Sequence, residues 1–427
     1  MANGSGLQDF KYGNGTLAEY EYDSLRRLSS LQAYTTSGNL MQDIAYTYDP
    51  VGNITYIANS ARPVNGMGGQ YDAQYTYDNL YRLSSATGSW HPRGLRLPFS
   101  MSMRYSPNGR IVSKKADYST YENGTVTNRS LFNSYAYPAG RNTVTVVENG
   151  ANSDRNDFTW DASGNMTLWR LRGANASMVR NQDWTEDNRL RSVVDWDNYS
   201  HYMYDANGDR ICKLVWQGNV HTINGISTVY YTPAGVTLYA SPYLVMTPQG
   251  YTKHYYAESE RVASQVGKGR FAGVKVSLAD SASTVSKLLV ATQSVGMDPQ
   301  TGSTPSAPYL AYLHSLTDRT DSVPENYFYH PDHLGSASWI TDSAGRPVQH
   351  LQYLPWGENF VDQRSSTFDG ARFTFSAKEK DVVTGFSVTS LRSVSSSSLS
   401  QCQTSLAWHS LIRRFGSRYY NSDLSIG

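Results

Sequence analysis

Tyrosine is frequent in this chain of 427 residues, which holds 33 of them, and aromatic residues make up 13% of the sequence. Charged residues make up only 17%, and the formal net charge is +1. This composition excludes coiled coils and helical bundles, and the aromatic content excludes disorder through charge repulsion. Tyr, Trp, Thr and Val suit a pleated, half-buried surface, so the composition favours a β-rich chain.

Other function classes are excluded by simple features. The near-neutral charge gives no electrostatic reason to bind nucleic acid or an acidic membrane. Two cysteines, Cys212 and Cys402, cannot form a disulfide framework. No apolar run approaches the roughly 20 residues of a membrane span. The polar N-terminus lacks the apolar segment of a signal peptide, which predicts a cytoplasmic location if this chain is expressed alone.

One short unit recurs along the first half of the chain. It begins with an aromatic residue, which is usually followed by Asp. Two or three turn residues come next, then Asn or Arg, and an aliphatic residue closes the unit. The Asp carboxylate can bond amides two residues on, and Gly or Asn supplies the left-handed residue of a short hairpin loop. The unit predicts β-hairpins that bury little alone and must stack on their neighbours. Clear copies begin at Tyr22, Tyr48, Tyr77, Tyr105, Trp160, Trp184 and Tyr204, with a degenerate copy at Tyr135 to Gly140.

Beyond the repeats, the sequence predicts further strands, a short helix, a linker and a set of conspicuous motifs. Residues 253–256 and 260–264 are interpreted as the last strands of the repeat body. Val285, Leu288, Leu289 and Val295 have helical spacing and predict a short helix near 280–295. The Pro/Ser/Thr-rich stretch that follows indicates a linker. An ordered set of motifs comes next, at 327–336, 341–345, 352–358, 378–385 and 415–424.

The repeat unit resembles the YD repeat of the RHS (rearrangement hot spot) family. The ordered motifs are similar to the RHS-associated core domain of that family, and their residues resemble those of Bacteroidetes RHS proteins. Bacterial RHS proteins, the C components of insecticidal toxin complexes and the teneurins share that repeat. The resemblance covers most of the chain. It implies an all-β fold of antiparallel strands and hairpins, winding as part of a hollow shell that in many bacterial members holds a C-terminal toxin polypeptide.

The resemblance also implies a domain order. We expect a YD-repeat body at 1–263, a helix and linker at 264–326, the RHS-associated core at 327–386, an anomalous Ser-rich segment at 387–414 and the end of the core at 415–427. The positions that match the core motifs are interpreted as structural: Tyr329, Pro331, Asp332, His333, Leu334, Gly335, Ser336, Tyr353, Pro355, Gly357, Glu358, Gly385, Arg418, Tyr419 and Tyr420.

His330, Asp332 and His333 have residue types that bind metal ions. Pro331 breaks a helix, and in a strand the two histidines would face opposite ways, although a turn could make them converge. The other interpretation is that the His and Asp side chains form hydrogen bonds with the backbone of a turn, while Gly335 relieves the backbone strain of that turn. We assign no metal, no cofactor and no catalytic residue, since hydrolase elbows, phosphate-binding loops and zinc motifs are missing from the sequence.

Two features depart from the family pattern. Residues 387–414 separate motifs that normally adjoin, which fits either a surface insertion at a hairpin tip or, as we favour, a frameshifted or foreign piece. The chain stops at Gly427, ahead of the aspartates that the family associates with self-cleavage and ahead of any passenger. We therefore expect a truncated chain, which fits a gene remnant without a present function. Its open strand edges favour self-association.

The sequence leaves two functions to compare. The first is a non-enzymatic structural shell segment of a secreted or cell-surface RHS protein, whose partners are the remaining repeats of a parent shell or a toxin passenger. The second is a cell-surface carbohydrate-binding or adhesion module that uses exposed Tyr and Trp faces, although buried sheet packing is the commoner use of such rings. A hydrolase has no motif to support it.

Overall fold

The computed structural model describes residues 8–268 and 324–385, apart from 175–176, 248, 258–259 and 382. Within these ranges the chain forms 25 β-strands and a single 3-10 turn, Phe375–Ala377. The predicted helix near 280–295, the segment 387–414 and the motif at 415–424 lie outside the described residues. No helix within the described residues has the length and apolar character needed to cross a membrane.

The described residues fall into two compact units. The first takes its residues from 1–155, 256–263 and 326–427, and the second from 156–255 and 264–325. The predicted strands at the end of the repeat body are present as β20 (Gly250–Ala257) and β21 (Glu260–Lys268).

The repeat strands of the first unit form an antiparallel meander, in which each strand pairs with the next one in sequence. Their bounds are β1 Asp9–Lys11, β2 Leu17–Tyr22, β3 Leu28–Tyr34, β4 Leu40–Tyr48, β5 Ile54–Asn59, β6 Gln70–Tyr77, β7 Leu83–His91, β8 Leu97–Tyr105, β9 Ile111–Glu122, β10 Thr125–Ala136 and β11 Val146–Asn149.

A second antiparallel ladder belongs to this unit and is formed by the segment predicted as the RHS-associated core, which we call the core domain. Its strands are β22 Glu325–Pro331, β23 Ala337–Thr341, β24 Pro347–Tyr353 and β25 Asn359–Arg364. Strand β25 also pairs in parallel with β9, Val361 opposite Tyr121 and Asp362 opposite Glu122. This parallel contact attaches the core ladder to the repeat ladder.

The second unit is a further antiparallel meander, whose pairing runs from β13 to β20. Its other strands are β12 Asp154–Trp160, β13 Met166–Arg172, β14 Ser177–Trp184, β15 Leu190–Val194, β16 Asn198–Tyr204, β17 Arg210–Ile223, β18 Ile226–Ser241 and β19 Leu244–Thr247. A small core of Tyr199, Cys212, Leu214 and Trp216 is buried within it. Alternating apolar and polar residues explain why one face of these strands is buried.

The predicted turn is confirmed in the repeat that begins at Tyr77. One carboxylate oxygen of Asp78 accepts the amides of Leu80, at 2.9 Å, and Arg82, at 3.1 Å. The other oxygen accepts the Arg82 Nε–H at 2.7 Å. Local hydrogen bonds of this kind fix a short loop without help from the rest of the fold.

The left-handed residue of these turns is not always Gly or Asn, and that part of the prediction was wrong. Gly52 and Gly109 have φ of 98° and 86°, as expected. Arg26 and Tyr81 take the same place in their turns, with φ of 63° and 58°. The Asp side-chain bonds and the pairing of the flanking strands hold these two residues in a conformation that costs about 1–2 kcal/mol for an L residue.

Neighbouring repeats are joined by the leading aromatic residue of each unit. The Tyr48 hydroxyl donates to the Leu28 carbonyl at 2.6 Å, and the Tyr77 hydroxyl donates to the Ile54 carbonyl at 2.8 Å. In each case the acceptor is the aliphatic residue that closes the preceding unit. The same joint recurs as Tyr105–Leu83, Tyr137–Ile111, Trp184–Met166, Tyr204–Leu190 and, in the core domain, Tyr353–Ala337.

The closing arginine of a unit strengthens this joint. The Arg82 guanidinium lies over the Tyr105 ring, 4.5 Å from its centroid, and donates to the Ser106 carbonyl at 3.2 Å. Arg27 stacks on Tyr48 at 4.6 Å in the same way. One arginine therefore bonds its own turn and the backbone of the next turn, which links consecutive hairpins into one body.

An apolar cluster of the first unit combines both ladders. Trp90, Phe99 and Tyr118 come from the repeat strands, and Phe360 and Val361 come from β25. The Phe99 and Phe360 rings pack edge to face with their centroids 5.5 Å apart. The core domain is thus packed on β6 to β9 as well as hydrogen-bonded to β9.

Candidate functional site

The most specific motif of the sequence forms the turn after β22. The Asp332 carboxylate accepts the amides of Leu334, at 2.8 Å, and Ser336, at 2.9 Å, and Gly335 has a φ of 72°. This is the geometry of a repeat turn, so the core motif begins with a unit of the same design as the repeats. The side chain of Asp332 is occupied by its own turn.

The two histidines of this motif have different surroundings. The His330 side chain is fully buried, with its ring 4.4 Å from the Tyr12 ring and its Nε2 3.1 Å from Thr341 Oγ1. The His333 ring packs edge to face on Tyr46, with 5.0 Å between centroids. Among the described residues there is no group of three or more His, Cys, Asp or Glu that could hold a metal ion.

His330 belongs to a hydrogen-bonded ring that ties the first strands to the core. Asn14 Nδ2 donates to Thr341 Oγ1 at 2.9 Å, and Thr16 Oγ1 donates to Asn14 Oδ1 at 2.7 Å. The His330 Nε2 lies 3.5 Å from Thr16 Oγ1 and completes the ring. Burial lowers the pKa of His330 to about 3, so the imidazole is neutral and acts here as a packing and hydrogen-bonding group.

Four further motif residues make contacts or take turn conformations within the described part of the chain. Glu358 forms a buried ion pair with Lys114 of β9. The Tyr353 hydroxyl donates to the Ala337 carbonyl at 3.0 Å. Gly357 takes the left-handed turn position with a φ of 85°, and the Gly385 amide donates to the Asp381 carbonyl at 2.6 Å. Arg418, Tyr419 and Tyr420 lie outside the described residues.

The core motif and the repeat strands together enclose a cavity of about 250 Å³, which we call the core cavity. From the core domain it is lined by Asp332, His333, Leu334, Ser338, Trp339, His350, Leu351, Gln352, Tyr353, Leu354, Pro355 and Phe375. From the repeats it is lined by Gln42, Ile44, Tyr46, Ile54, Ile57, Asn59, Tyr71, Tyr75, Tyr77 and Leu83. The alternating pair Tyr75 and Tyr77, predicted to share one face of a sheet, reaches this cavity with both rings.

The lining of the core cavity is close to electrically neutral. Burial raises the pKa of Tyr71 well above its usual value and that of Tyr75 to about 12, so both phenols stay protonated. Burial lowers the pKa of His350 to about 4, against smaller opposing contributions from Gln363 and Asp362. Burial also lowers the pKa of His333 and raises the pKa of Asp332. The electrostatic attraction between the two groups acts against both shifts.

Two amide side chains in the lining have a polar atom without a hydrogen-bond partner among the described residues. These atoms are Nε2 of Gln42, on β4, and Oε1 of Gln352, on β24, and both are shielded from solvent. Most buried polar groups in proteins find a partner, so this donor and this acceptor are unusual. Gln42 could not be identified from the sequence, because an amide in an alternating strand suggests a solvent-facing position.

The comparisons with known proteins agree with the fold. No family model matches the chain. The chain is 27% identical to the toxin subunits YenC2 and YenC1 of Yersinia entomophaga over 250 and 257 residues, or 52% of its length in each case. These matches cover 25% and 24% of the relatives, so the chain spans about a quarter of their length. It is a distant homologue of these toxin subunits.

Solved structures give the same answer at the level of fold. One is the Photorhabdus luminescens Tc holotoxin pore, with a TM-score of 0.53, 16% identity and coverage of 89% of this chain and 16% of that one. Another is a complex of TcdB2-TccC3 with Cdc42, with a TM-score of 0.52, 17% identity and coverage of 89% and 16%. The predicted fold class, all-β strands and hairpins of the RHS shell type, is confirmed by this likeness.

Proposed function

We propose that this chain is a structural, non-enzymatic segment of an RHS-type β-shell, of the kind that encloses and delivers a toxin polypeptide in bacterial competition. Its distant homology to toxin subunits supports the proposal. In this view its partners are further YD repeats of a parent shell and a toxin passenger. The parent protein would be secreted or displayed at the cell surface of a bacterium, with the Bacteroidetes the favoured group.

The observation that carries the proposal is the joint between repeats. Leading aromatic residues donate to the backbone of the preceding unit, as Tyr77 does to Ile54. The closing arginines lie across the next aromatic ring, as Arg82 does on Tyr105. Side chains that could bind a ligand or do chemistry are thus used to hold hairpins together, which is what a wall requires.

The same joint argues against the alternative of an adhesion module built on exposed aromatic faces. Tyr48 and Tyr105 have their hydroxyls bonded to backbone carbonyls, and the guanidinium groups of Arg27 and Arg82 lie over their rings. Rings held in this way offer little free face to a surface glycan. A glycan array of bacterial surface polysaccharides is expected to show no binding that depends on Tyr48 or Tyr105.

The test is protease protection of the passenger in the longest natural reading frame that contains this chain. We expect trypsin to leave the passenger intact in the folded protein and to digest it once the protein is heat-unfolded. Passenger digested as fast as the isolated polypeptide would contradict enclosure. Turnover of ester, peptide or glycoside substrates that follows the purified chain through separation would contradict the non-enzymatic part.

A further inference from the structure

We propose that the core cavity is a binding site for one neutral sugar ring, a role that goes beyond that of a shell wall. The site is internal to the first unit and is formed where the core motif meets strands β4 to β6. It differs from binding on exposed tyrosine faces, since its aromatic residues line a recessed pocket that opens to solvent on one side.

The walls of the core cavity suit the flat, apolar C–H faces of a pyranose. Trp339, Tyr71, Tyr75, Tyr353 and Phe375 contribute aromatic surface from several directions. Aromatic faces carry partial negative charge and pack well against polarised C–H groups. Binding sites for small molecules commonly combine such apolar walls with a few placed polar groups.

The polar groups of the cavity suit hydroxyls. Gln42 supplies an amide donor and Gln352 an amide acceptor, and neither atom has a partner among the described residues. Gln42 is only 2% exposed, so bulk solvent does not satisfy its amide. A hydroxyl group both donates and accepts, so one ligand with several hydroxyls can satisfy both amides at once.

The charge of the lining selects a neutral ligand. No Lys or Arg is among the residues that line the cavity, so an anionic ligand would find no counter-ion there. The carboxylate of Asp332 already accepts the amides of Leu334 and Ser336, so it offers little to a cation. Burying a charged ligand without a partner is costly, and a neutral one avoids that cost.

The size of the cavity limits the ligand to a single ring. A volume of about 250 Å³ equals roughly eight water molecules at their liquid volume of about 30 Å³ each. Leu334, which is 53% exposed, lines the cavity and borders solvent, so the entrance lies at the turn of the core motif. A longer saccharide would have to extend out past Leu334.

The test uses the full chain and four sugars: glucose, galactose, mannose and N-acetylglucosamine. Saturation-transfer NMR and titration of the tryptophan fluorescence, to which the cavity residue Trp339 contributes, report binding. We expect saturable binding of at least one sugar in the millimolar range or tighter. Gln42→Leu is expected to weaken this binding at least tenfold, because the sugar hydroxyl loses its donor.

Gln182→Leu is the matched control. Gln182 is also a buried strand glutamine with unpartnered amide atoms, but it lies in the second unit and does not line the cavity. Its substitution is expected to leave sugar binding unchanged. Circular dichroism verifies folding, and Ser338→Leu, which fills the cavity from another strand, replaces Gln42→Leu if that variant fails to fold.

Three results would overturn the proposal. If none of the four sugars binds, the cavity holds water only. If sugars bind equally well to wild type and to the Gln42→Leu and Ser338→Leu variants, they bind elsewhere. If N-acetyl-tyrosinamide binds and the sugars do not, the cavity accepts a peptide side chain instead.

Discussion

Lys114 of β9 and Glu358 of the core motif form an ion pair that joins positions 244 residues apart in the sequence. Their side chains are only 5% and 4% exposed. Glu358 is thus a residue of the core motif that reaches into the repeat ladder, and Lys114 is its counter-charge. A buried pair of this kind specifies how the two ladders dock, since each charge offsets the cost of burying the other.

Removing one member of this pair should be costly. We expect Lys114→Met to lower the free energy of unfolding by about 3–5 kcal/mol, because the Glu358 carboxylate stays buried without the opposite charge of Lys114. The double variant Lys114→Met/Glu358→Leu should recover most of that loss. Urea unfolding measures the stability of both variants. The control is Glu148→Gln, in the exposed ion pair with Arg155, which is expected to cost less than about 1 kcal/mol. A double variant as unstable as the single one would contradict this account.

The joint between repeats makes a second prediction. Tyr77→Phe removes the hydroxyl that donates to the Ile54 carbonyl at 2.8 Å and should destabilise the chain by about 1 kcal/mol. Tyr56→Phe is the control, since the Tyr56 side chain is 41% exposed and its hydroxyl has no such joint. Thermal unfolding of the two variants should separate them. Equal midpoints would mean that the joint adds no net stability.

Glycine in the repeat turns gives a third prediction. Gly109→Ala should cost about 1 kcal/mol, because Gly109 has a φ of 86° although there is room for a Cβ. Gly235→Ala, in a strand with similar room and without a left-handed φ, should be neutral or should stabilise by up to about 1 kcal/mol. Denaturant midpoints compare the two variants. A Gly109→Ala protein as stable as wild type would show that the turn can rearrange.

Acid should destabilise the fold through its buried histidines. The pKa of His350 is about 4 in the folded chain, below its ordinary 6.5, so between these values the unfolded chain binds the extra proton. Stability is therefore present above about pH 6.5 and is lost as pH falls towards 4. His350 alone should contribute a loss of about 2 kcal/mol between pH 7 and pH 5.

Urea midpoints at pH 7 and pH 5 test this prediction. His350→Gln should reduce the difference between the two midpoints, because a neutral amide in place of the imidazole takes up no proton. His221→Gln, at an exposed position, should leave the difference as in wild type. If wild type and the His350→Gln variant lose the same stability in acid, the prediction for His350 is wrong.

The local half of this fold could be predicted from the sequence. The turn at Asp78 bonds atoms within four residues, so its chemistry is visible in a seven-residue unit. The pairs of alternating aromatics also predicted a shared sheet face, and Tyr75 and Tyr77 meet at one cavity. What failed was the rule for left-handed residues, since Tyr81 takes that conformation without being Gly or Asn.

The contacts between distant segments could not be predicted. Tyr77 bonds to a carbonyl 23 residues earlier, a distance set by the offset of the ladder rather than by local preference. Lys114 lies in a strand whose alternation alone does not reveal a partner in the core domain. The motif residues Asp332, His333 and Leu334 were found from the sequence, but the amides that complete their cavity, Gln42 above all, were not.

The hydrogen-bonded ring of Asn14, Thr16, His330 and Thr341 has a consequence for the order of biosynthesis. Asn14 and Thr341 are 327 residues apart, so the partners of the first strands leave the ribosome long after those strands do. At about 5–20 residues per second the wait is roughly 15–65 s. During that time the Tyr12 ring lacks the contacts that His330 later makes with it. A nascent chain of this design should therefore depend on chaperones until strands β22 and β23 have been made.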